Sequence, residues 1–334
     1  MENDNTPFLH WRRRRSIATV LAAAVAWHAS VCSAQTYPSK PVRIIVPFSA
    51  GGGSDLVARA ISPKLTAALG QSVIIDNRPG ADGQIGASQV AKAPPDGYTL
   101  LVGTTGPMVI NPALEAKTPY DTLRDFAPIT QLITQPIALV VHPSLPVATV
   151  SQFVAFAKTR PGQLSYGTAG TGSGTHLGAE IFAGLTGIKM LHVPYKGTAP
   201  AVTDVMSGQV QAIFSSIPVL LPHIQSHRLK ALAVGSEARM PMLPGVPTMS
   251  EAGVTGFDAS SWYGLFAPAG TSADVLRRLN TETASALKSP EIDKLLSSQG
   301  AFPVGSSVEQ FSAHIRTELV KWKRAVEAAG VKGQ

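Results

Sequence analysis

Pro47-Phe48-Ser49-Ala50-Gly51-Gly52-Gly53-Ser54-Asp55 follows the compact apolar run Val42–Val46 and opens directly into a helical pattern. A strand, a glycine turn and a helix N-terminus in that order form the unit from which α/β sheets are wound. Three glycines let the backbone approach a guest with no Cβ in the way. The first helical turn leaves N–H groups unpaired, and the helix dipole adds partial positive charge at the same spot. The expectation is a loop whose outward N–H groups receive a carboxylate or another small anion. Asp55 reads as a first-turn acid that complements the dipole.

A second unit of the same kind lies about 120 residues on. The strand Leu164–Tyr166 leads into Gly167-Thr168-Ala169-Gly170-Thr171-Gly172-Ser173-Gly174, and a helix follows with Leu177, Ile181 and Leu185 in phase. Ligands of open α/β sheets bind outside the carboxyl ends of the strands. Two such ends facing across a cleft would offer N–H donors from both sides, with hydroxyls from Ser49, Thr168, Ser173 and Thr175. Either loop alone is also the ordinary form of a tight βα turn. The first lacks the Lys-Ser/Thr ending of a phosphate-binding loop, and its glycines do not keep the dinucleotide spacing. Gly172-Ser173-Gly174 has no spacer between Ser and each Gly, so it is not a nucleophile elbow.

From Tyr37 onward, short strands alternate with helices, which predicts βαβ units and mainly parallel sheets. Val57, Ile61, Leu65 and Leu69 share one face of the helix from about Ser54, with Gly70 as its stop. Pro63 inside that pattern predicts a kink or an early break. Ile129–Val141 is β-rich and interrupted only by Pro136, long enough to serve two sheets as a crossover. Arg239–Gly256 reads as a loop with a short helix at Met249–Ala252. Three helices, at roughly Ser272–Leu287, Pro290–Ser297 and Val308–Ala329, are expected to pack back on the first domain.

The chain has 334 residues, 44% of them apolar and 15% charged, which suits two packed α/β domains rather than a disordered chain. Arg12–Arg15 form a basic block, Ile17–Trp27 are almost wholly apolar or small, and Ser33-Ala34 precede Gln35. That order predicts a secretory signal over residues 1–34 and a periplasmic protein. The apolar stretch is too short for a permanent span. A membrane-anchoring first helix, lipid attachment at Cys32 and twin-arginine export through Arg14-Arg15 are the alternatives. Loss of residues 1–34 removes four Arg and two acids, so the formal charge falls from +7 to +5. This mild basicity gives nucleic acid no weight as a partner. Cys32 is the only cysteine and would leave with the signal, so neither a disulfide nor a thiol chemistry is expected.

The run Pro41–Asp55 resembles the opening signature of the Bug family, the receptors of tripartite tricarboxylate transporters. Asn77-Arg78-Pro79-Gly80-Ala81 and Pro95-Asp96-Gly97-Tyr98-Thr99-Leu100 are similar to its next blocks. Tyr166–Gly170, Gly172-Ser173 and His176-Leu177 resemble its central binding loop. Val193–Gly197 and Trp262–Pro268 continue the likeness through nearly all of the chain after the signal. The resemblance implies a type II periplasmic-binding-protein fold, α/β, with a ligand cleft between two domains. The expected limits are 36–136 plus 258–334 for the first domain and 137–257 for the second. It also implies capture of a small carboxylate, amino acid or aromatic acid for membrane transporter subunits, by a monomer without cofactor or metal. Phe48, Ser49, Ala50, Gly51 and Gly52 would form one jaw, and Thr168, Ala169, Gly170, Gly172 and Ser173 the other. Tyr195 and Lys196 would lie in the neighbouring strand-end loop.

Gln211 and Ser215 depart from the pattern, since the family usually has acids at both positions. Loss of a cleft acid would remove a partner for a ligand ammonium, so a carboxylate without an amine is expected. His176 is expected to be structural, and Trp262 and Tyr263 mainly packing, with flanking of the ligand as the alternative. Asp204 is expected at the solvent or between domains, with an approach to the cleft as the alternative. His142, His192, His223 and His227 make no paired metal motif. Two other function classes share the cleft. A periplasmic enzyme would need a nucleophile–base or metal constellation, and none is visible. A ligand sensor for a membrane signalling system would lose a transcriptional response on deletion, where a transport receptor would lose uptake.

Overall fold

Four of the five residues of β1 (Val42–Val46) are buried, so this strand reads as a continuous apolar run instead of alternating. It is the centre of a parallel ladder in the computed structural model, which describes residues 37–114, 118–195 and 197–330. In chain order come α1 (Gly53–Leu69), β2 (Val73–Asn77), α2 (Gln84–Ala91), β3 (Thr99–Thr104) and β4 (Phe126–Gln135). Then follow β5 (Ile137–Val141), α3 (Val150–Lys158), β6 (Ser165–Thr168), α4 (Gly174–Thr186) and β7 (Leu191–Pro194). After these come α5 (Thr198–Met206), β8 (Ala212–Ser216), α6 (Ile217–Gln225) and β9 (Lys230–Val234). The chain closes with β10 (Ser261–Pro268), α7 (Ala273–Leu287), α8 (Pro290–Ser297), β11 (Phe302–Pro303) and α9 (Val308–Ala329). The expected signal over residues 1–34 lies outside the described residues, as does Lys196.

Two sheets result, with orders β11-β4-β10-β3-β1-β2 and β7-β6-β8-β5-β9. Pro136 separates β4 from β5 because it has no N–H to give to a ladder, and the two strands belong to different sheets. The chain returns to the first sheet between the end of β9 at Val234 and the start of β10 at Ser261. Each sheet carries its own helices, so the molecule is two α/β domains of the periplasmic binding protein type. The sheets are mixed, not mainly parallel: β10 runs antiparallel to β3 and β4, and β5 antiparallel to β8 and β9. The crossovers impose this. A strand that enters a sheet from its hinge end runs opposite to β1, β3, β6 and β8, which end there.

Several local expectations are corrected. α1 continues past Pro63 without a break to the left-handed cap at Gly70. The carbonyl that Pro63 cannot serve, that of Arg59, instead accepts the Ser62 hydroxyl at 3.3 Å. Met249–Ala252 is a turn with one Ala252 N–H to Thr248 O bond of 2.9 Å, not a helix. On α4 the buried face is His176, Leu177, Ala179 and Phe182, while Leu185 is exposed. α6 was not foreseen, because Pro218 and Pro222 mask its pattern, although a proline at the first turn suits a helix start. Between β3 and β4 an unforeseen π-helical turn, Gly106–Ile110, runs into a helical turn at Asn111–Ala113.

α9 begins with a capping box between Ser307 and Gln310. It touches β4 of the first sheet and also α4 of the second domain, so the helix-rich end serves both domains. Trp262 on β10 and Trp322 on α9 both donate their indole N–H to Oε2 of buried Glu318, each at 2.9 Å. Lys321 pairs with the same carboxylate. A buried acid is thereby neutralised while it ties the return crossing to the last helix.

Candidate functional site

The loop after β1 is built by Asp55. Its carboxylate accepts from Gly51 N–H at 2.8 Å, Arg59 Nε at 2.9 Å and Asn77 Nδ2 at 3.0 Å. Asn77 also donates to Phe48 O at 3.0 Å. Burial alone would raise the Asp55 pKa, but the Arg59, Gly51 and Asn77 donors outweigh it and hold the carboxyl below its ordinary range. Asp55 therefore shapes the loop in addition to facing the dipole. The Gly51 N–H is consumed here and the Gly52 N–H binds Ser49 O at 3.3 Å, so neither points outward as expected. Phe48, Ser49 and Ala50 keep N–H groups with no acceptor among the described residues. Gly51 has φ of +81°, a conformation that favours glycine.

The second loop spends its hydroxyls internally. Ser173 Oγ donates to Gly170 O at 2.7 Å and accepts from His176 N–H at 3.3 Å, as the cap of α4. Thr175 Oγ1 accepts from Ala169 N–H at 3.0 Å, and Thr168 Oγ1 from Gly170 N–H at 3.2 Å. Gly172 N–H goes to His176 Nδ1 at 3.1 Å. The hydroxyls expected to face a ligand thus hold the loop in shape, because an irregular turn must satisfy its own backbone. Exposed Thr171, within the expected Thr168–Ser173 jaw, keeps its N–H without an acceptor among the described residues.

Beneath this loop His176 stacks on His192 with ring centroids 3.9 Å apart. His192 Nε2 lies 2.7 Å from Thr168 Oγ1, and Tyr166 donates to Glu180 at 2.5 Å. Burial pushes both histidines down to about 4, the charge of His176 adding to the effect on His192. Neutral imidazoles can therefore act as hydrogen-bond acceptors that fix the loop. Tyr195 is tied in through its N–H to Thr168 O at 3.2 Å, and its hydroxyl donates to Asp204 at 2.7 Å. Burial and that carboxylate push the Tyr195 phenol up to about 12. Half-exposed Asp204 is thus the partner of Tyr195.

The turn at 106–114 bridges the two loops. A Cβ on Gly172 would stand 2.7 Å from Leu114 Cδ1, and one on Gly174 3.5 Å from Ile110 Cδ1. On the other side, a Cβ on Gly83 would meet Pro107 and the Phe48 ring, each at 3.2 Å. The floor is made by the crossings: Tyr263 pairs with Thr104 at the end of β3, and Thr105 Oγ1 donates to Trp262 O at 3.2 Å. A Cβ on Gly53 would lie only 2.7 Å from the Tyr263 hydroxyl, so this tyrosine walls the first loop rather than merely packing. Desolvation raises the pKa of the Tyr263 phenol, against an opposing effect of the nearby Gln135 side chain. Trp262, by contrast, is buried packing.

Of the two departures, only Ser215 belongs to this end of the sheet. Gln211 precedes β8 and its Oε1 accepts from Ser165 N–H at 2.9 Å and Oγ at 2.8 Å, at the opposite end. Ser215 is 1% exposed and its hydroxyl has no partner among the described residues. A cavity of about 810 Å³ lies elsewhere, beside the crossover, lined by Thr134, Pro136, Ser236, Phe257 and Phe302. None of the expected site residues borders it. Among the described residues no group of three or more His, Cys, Asp or Glu could hold a metal, and no helix is long and apolar enough to cross a membrane.

The model of the tripartite tricarboxylate transporter family receptor matches residues 57–331. The chain is 38% identical to protein BugT of Bordetella pertussis over 310 residues, covering 92% of this chain and 95% of that one. Among solved structures it is similar to Rpa4515 of R. palustris with adipate, at 38% identity and a TM-score of 0.81, covering 89% of this chain and 99% of that one. It is also similar to MatC (Rpa3494) of Rhodopseudomonas palustris with bound malate, at 32% identity and a TM-score of 0.77, covering 87% and 100%. The chain belongs to the tripartite tricarboxylate transporter family receptors, periplasmic solute-binding proteins and not enzymes.

Proposed function

We propose that this chain captures a small carboxylated solute between its two domains and presents it to the membrane subunits of a tripartite transporter. The observation that carries this reading is the pair of strand-end loops joined by the turn at 106–114. Each loop keeps N–H groups that no acceptor among the described residues has taken, at Phe48, Ser49 and Ala50 on one side and Thr171 on the other. An anion is the natural occupant of such donors. Relatives with adipate and with malate support the same ligand class. The contact set we propose is Phe48–Gly52 with Thr168–Ser173, flanked by Tyr195 and by Lys196, which lies outside the described residues.

We further propose domain limits at 36–136 plus 258–334 and 137–257, supported by the switch of sheets at Pro136 and by the return into β10. Residues 1–34 act in this reading as a removable export signal, and the working form is a monomer. The test is a thermal-shift screen of the protein from residue 35 onward against mono-, di- and tricarboxylates, amino acids and nicotinate. A ligand that binds only the folded state raises the melting temperature. A shift with carboxylates that vanishes for the matching amides supports the reading. A shift with the amides alone, or with no member of the panel while a non-acid is released on denaturation, sinks it.

A further inference from the structure

Asp82 sits beside the first loop, in a short helical turn (Ala81–Gly83) whose Gly83 touches the Phe48 ring and Pro107 in the sense that an added Cβ would meet both. Its Oδ2 is 3.3 Å from the position of a Cβ on Gly106, at the start of the turn that bridges to the second loop. Asp82 therefore lies where the first loop meets the start of the bridging turn. Its residue is exposed, yet the surrounding walls desolvate its carboxyl and raise its pKa. The one partner is Asn111 Nδ2 at 3.4 Å, and no cation pairs with Asp82 among the described residues. Asp82 also holds φ of +48°, where glycine would be easier.

An ionised carboxylate can only accept hydrogen bonds. Beside N–H groups that receive a ligand carboxylate, it would repel a plain acid and welcome an acid that carries a donor. We infer that Asp82 selects the solute by accepting a hydrogen bond from a hydroxyl or ammonium substituent near the ligand's carboxylate. The chain then takes hydroxy or amino acids in preference to unsubstituted ones. This rests on the receptor reading above, and it replaces the expectation of an amine-free ligand, which considered only the loss of an acid at Ser215.

The experiment is calorimetric titration of succinate, L-malate and L-aspartate, three acids of one chain length, into the wild type, Asp82→Gly and Asp82→Asn. Glycine accepts the positive φ, so folding is not at risk, and an unchanged melting temperature without ligand checks this. A hydrogen bond to a charged group predicts malate or aspartate about tenfold or more tighter than succinate. Asp82→Gly removes that preference. Asp82→Asn, which still accepts but carries no charge, keeps a preference for malate and loses one for aspartate. The inference is overturned if succinate binds the wild type as tightly as the other two, if binding is confined to unsubstituted diacids, or if the preference survives in Asp82→Gly. In those cases the receptor reading stands. If none of the three binds, the inference fails, while the receptor reading is judged by the wider thermal-shift screen.

Discussion

Gly53 shows how little separates a turn residue from a site residue. The sequence marks three glycines in a row, and only the structure ranks them: Gly51 needs its positive φ, Gly52 has a carbonyl 3.3 Å from a Cβ, and Gly53 faces the Tyr263 hydroxyl at 2.7 Å. Gly53→Ala must therefore push the tyrosine ring away from the loop. We expect carboxylate affinity to fall about tenfold, or roughly 1.4 kcal/mol, with circular dichroism unchanged. Calorimetric titration checks it, and wild-type affinity in Gly53→Ala would remove Tyr263 from the wall. Asp55 belongs to the same scale. Its position at a helix start was legible, but its three donors come from a loop, a helix and a neighbouring strand. No local pattern announces such a meeting.

At the scale of elements, the second loop depends on β7 and α4 through the stacked histidines. His176 receives the Gly172 N–H, while His192 on the edge strand meets Thr168. Both rings are pushed from an ordinary 6.5 to about 4 by burial, so the unfolded chain takes up protons first as the pH falls. Stability is then full above about 6.5, declines from there through about 4, and levels off below that. The melting temperature measured from pH 7 to pH 4 should fall accordingly. His192→Phe keeps a ring in the stack and cannot protonate, so it should flatten the slope. A variant with the wild-type slope would show that other groups carry the acid sensitivity. The strands and most helices were readable because periodicity and caps are local signals, as at Ser272, Ser307 and Gly70. α6 and the π-helical turn were not, because prolines and a glycine hide elements that tertiary packing imposes.

For the whole molecule, the chain crosses between the two sheets at Pro136 and again between β9 and β10, and the domains are expected to rotate as bodies about these crossings. α9 touches both, and the Glu318 cluster anchors it to β10, so the rotation must bend around this fixed corner. Saturating ligand is expected to lower the radius of gyration in small-angle scattering. Identical curves with and without ligand would mean that the cleft is preformed. The long segment Ile129–Val141 was legible as a crossover, since one proline in an otherwise β-rich run breaks a ladder at a known place. The direction of the returning strands was not legible, because it depends on which end of the sheet they enter.

The sequence by itself determined the strand–loop–helix units, the two glycine-rich strand ends, the crossover at Pro136 and the family, all of which are carried by residues close together in the chain. Tertiary structure alone decided which donors remain open. Gly51 and Gly52 lose theirs to Asp55 and Ser49, Thr168, Ser173 and Thr175 turn their hydroxyls inward, and Thr171 keeps its N–H without an acceptor among the described residues. The reason is that a backbone donor is free only after every nearby acceptor has been placed, and those acceptors come from elements distant in sequence.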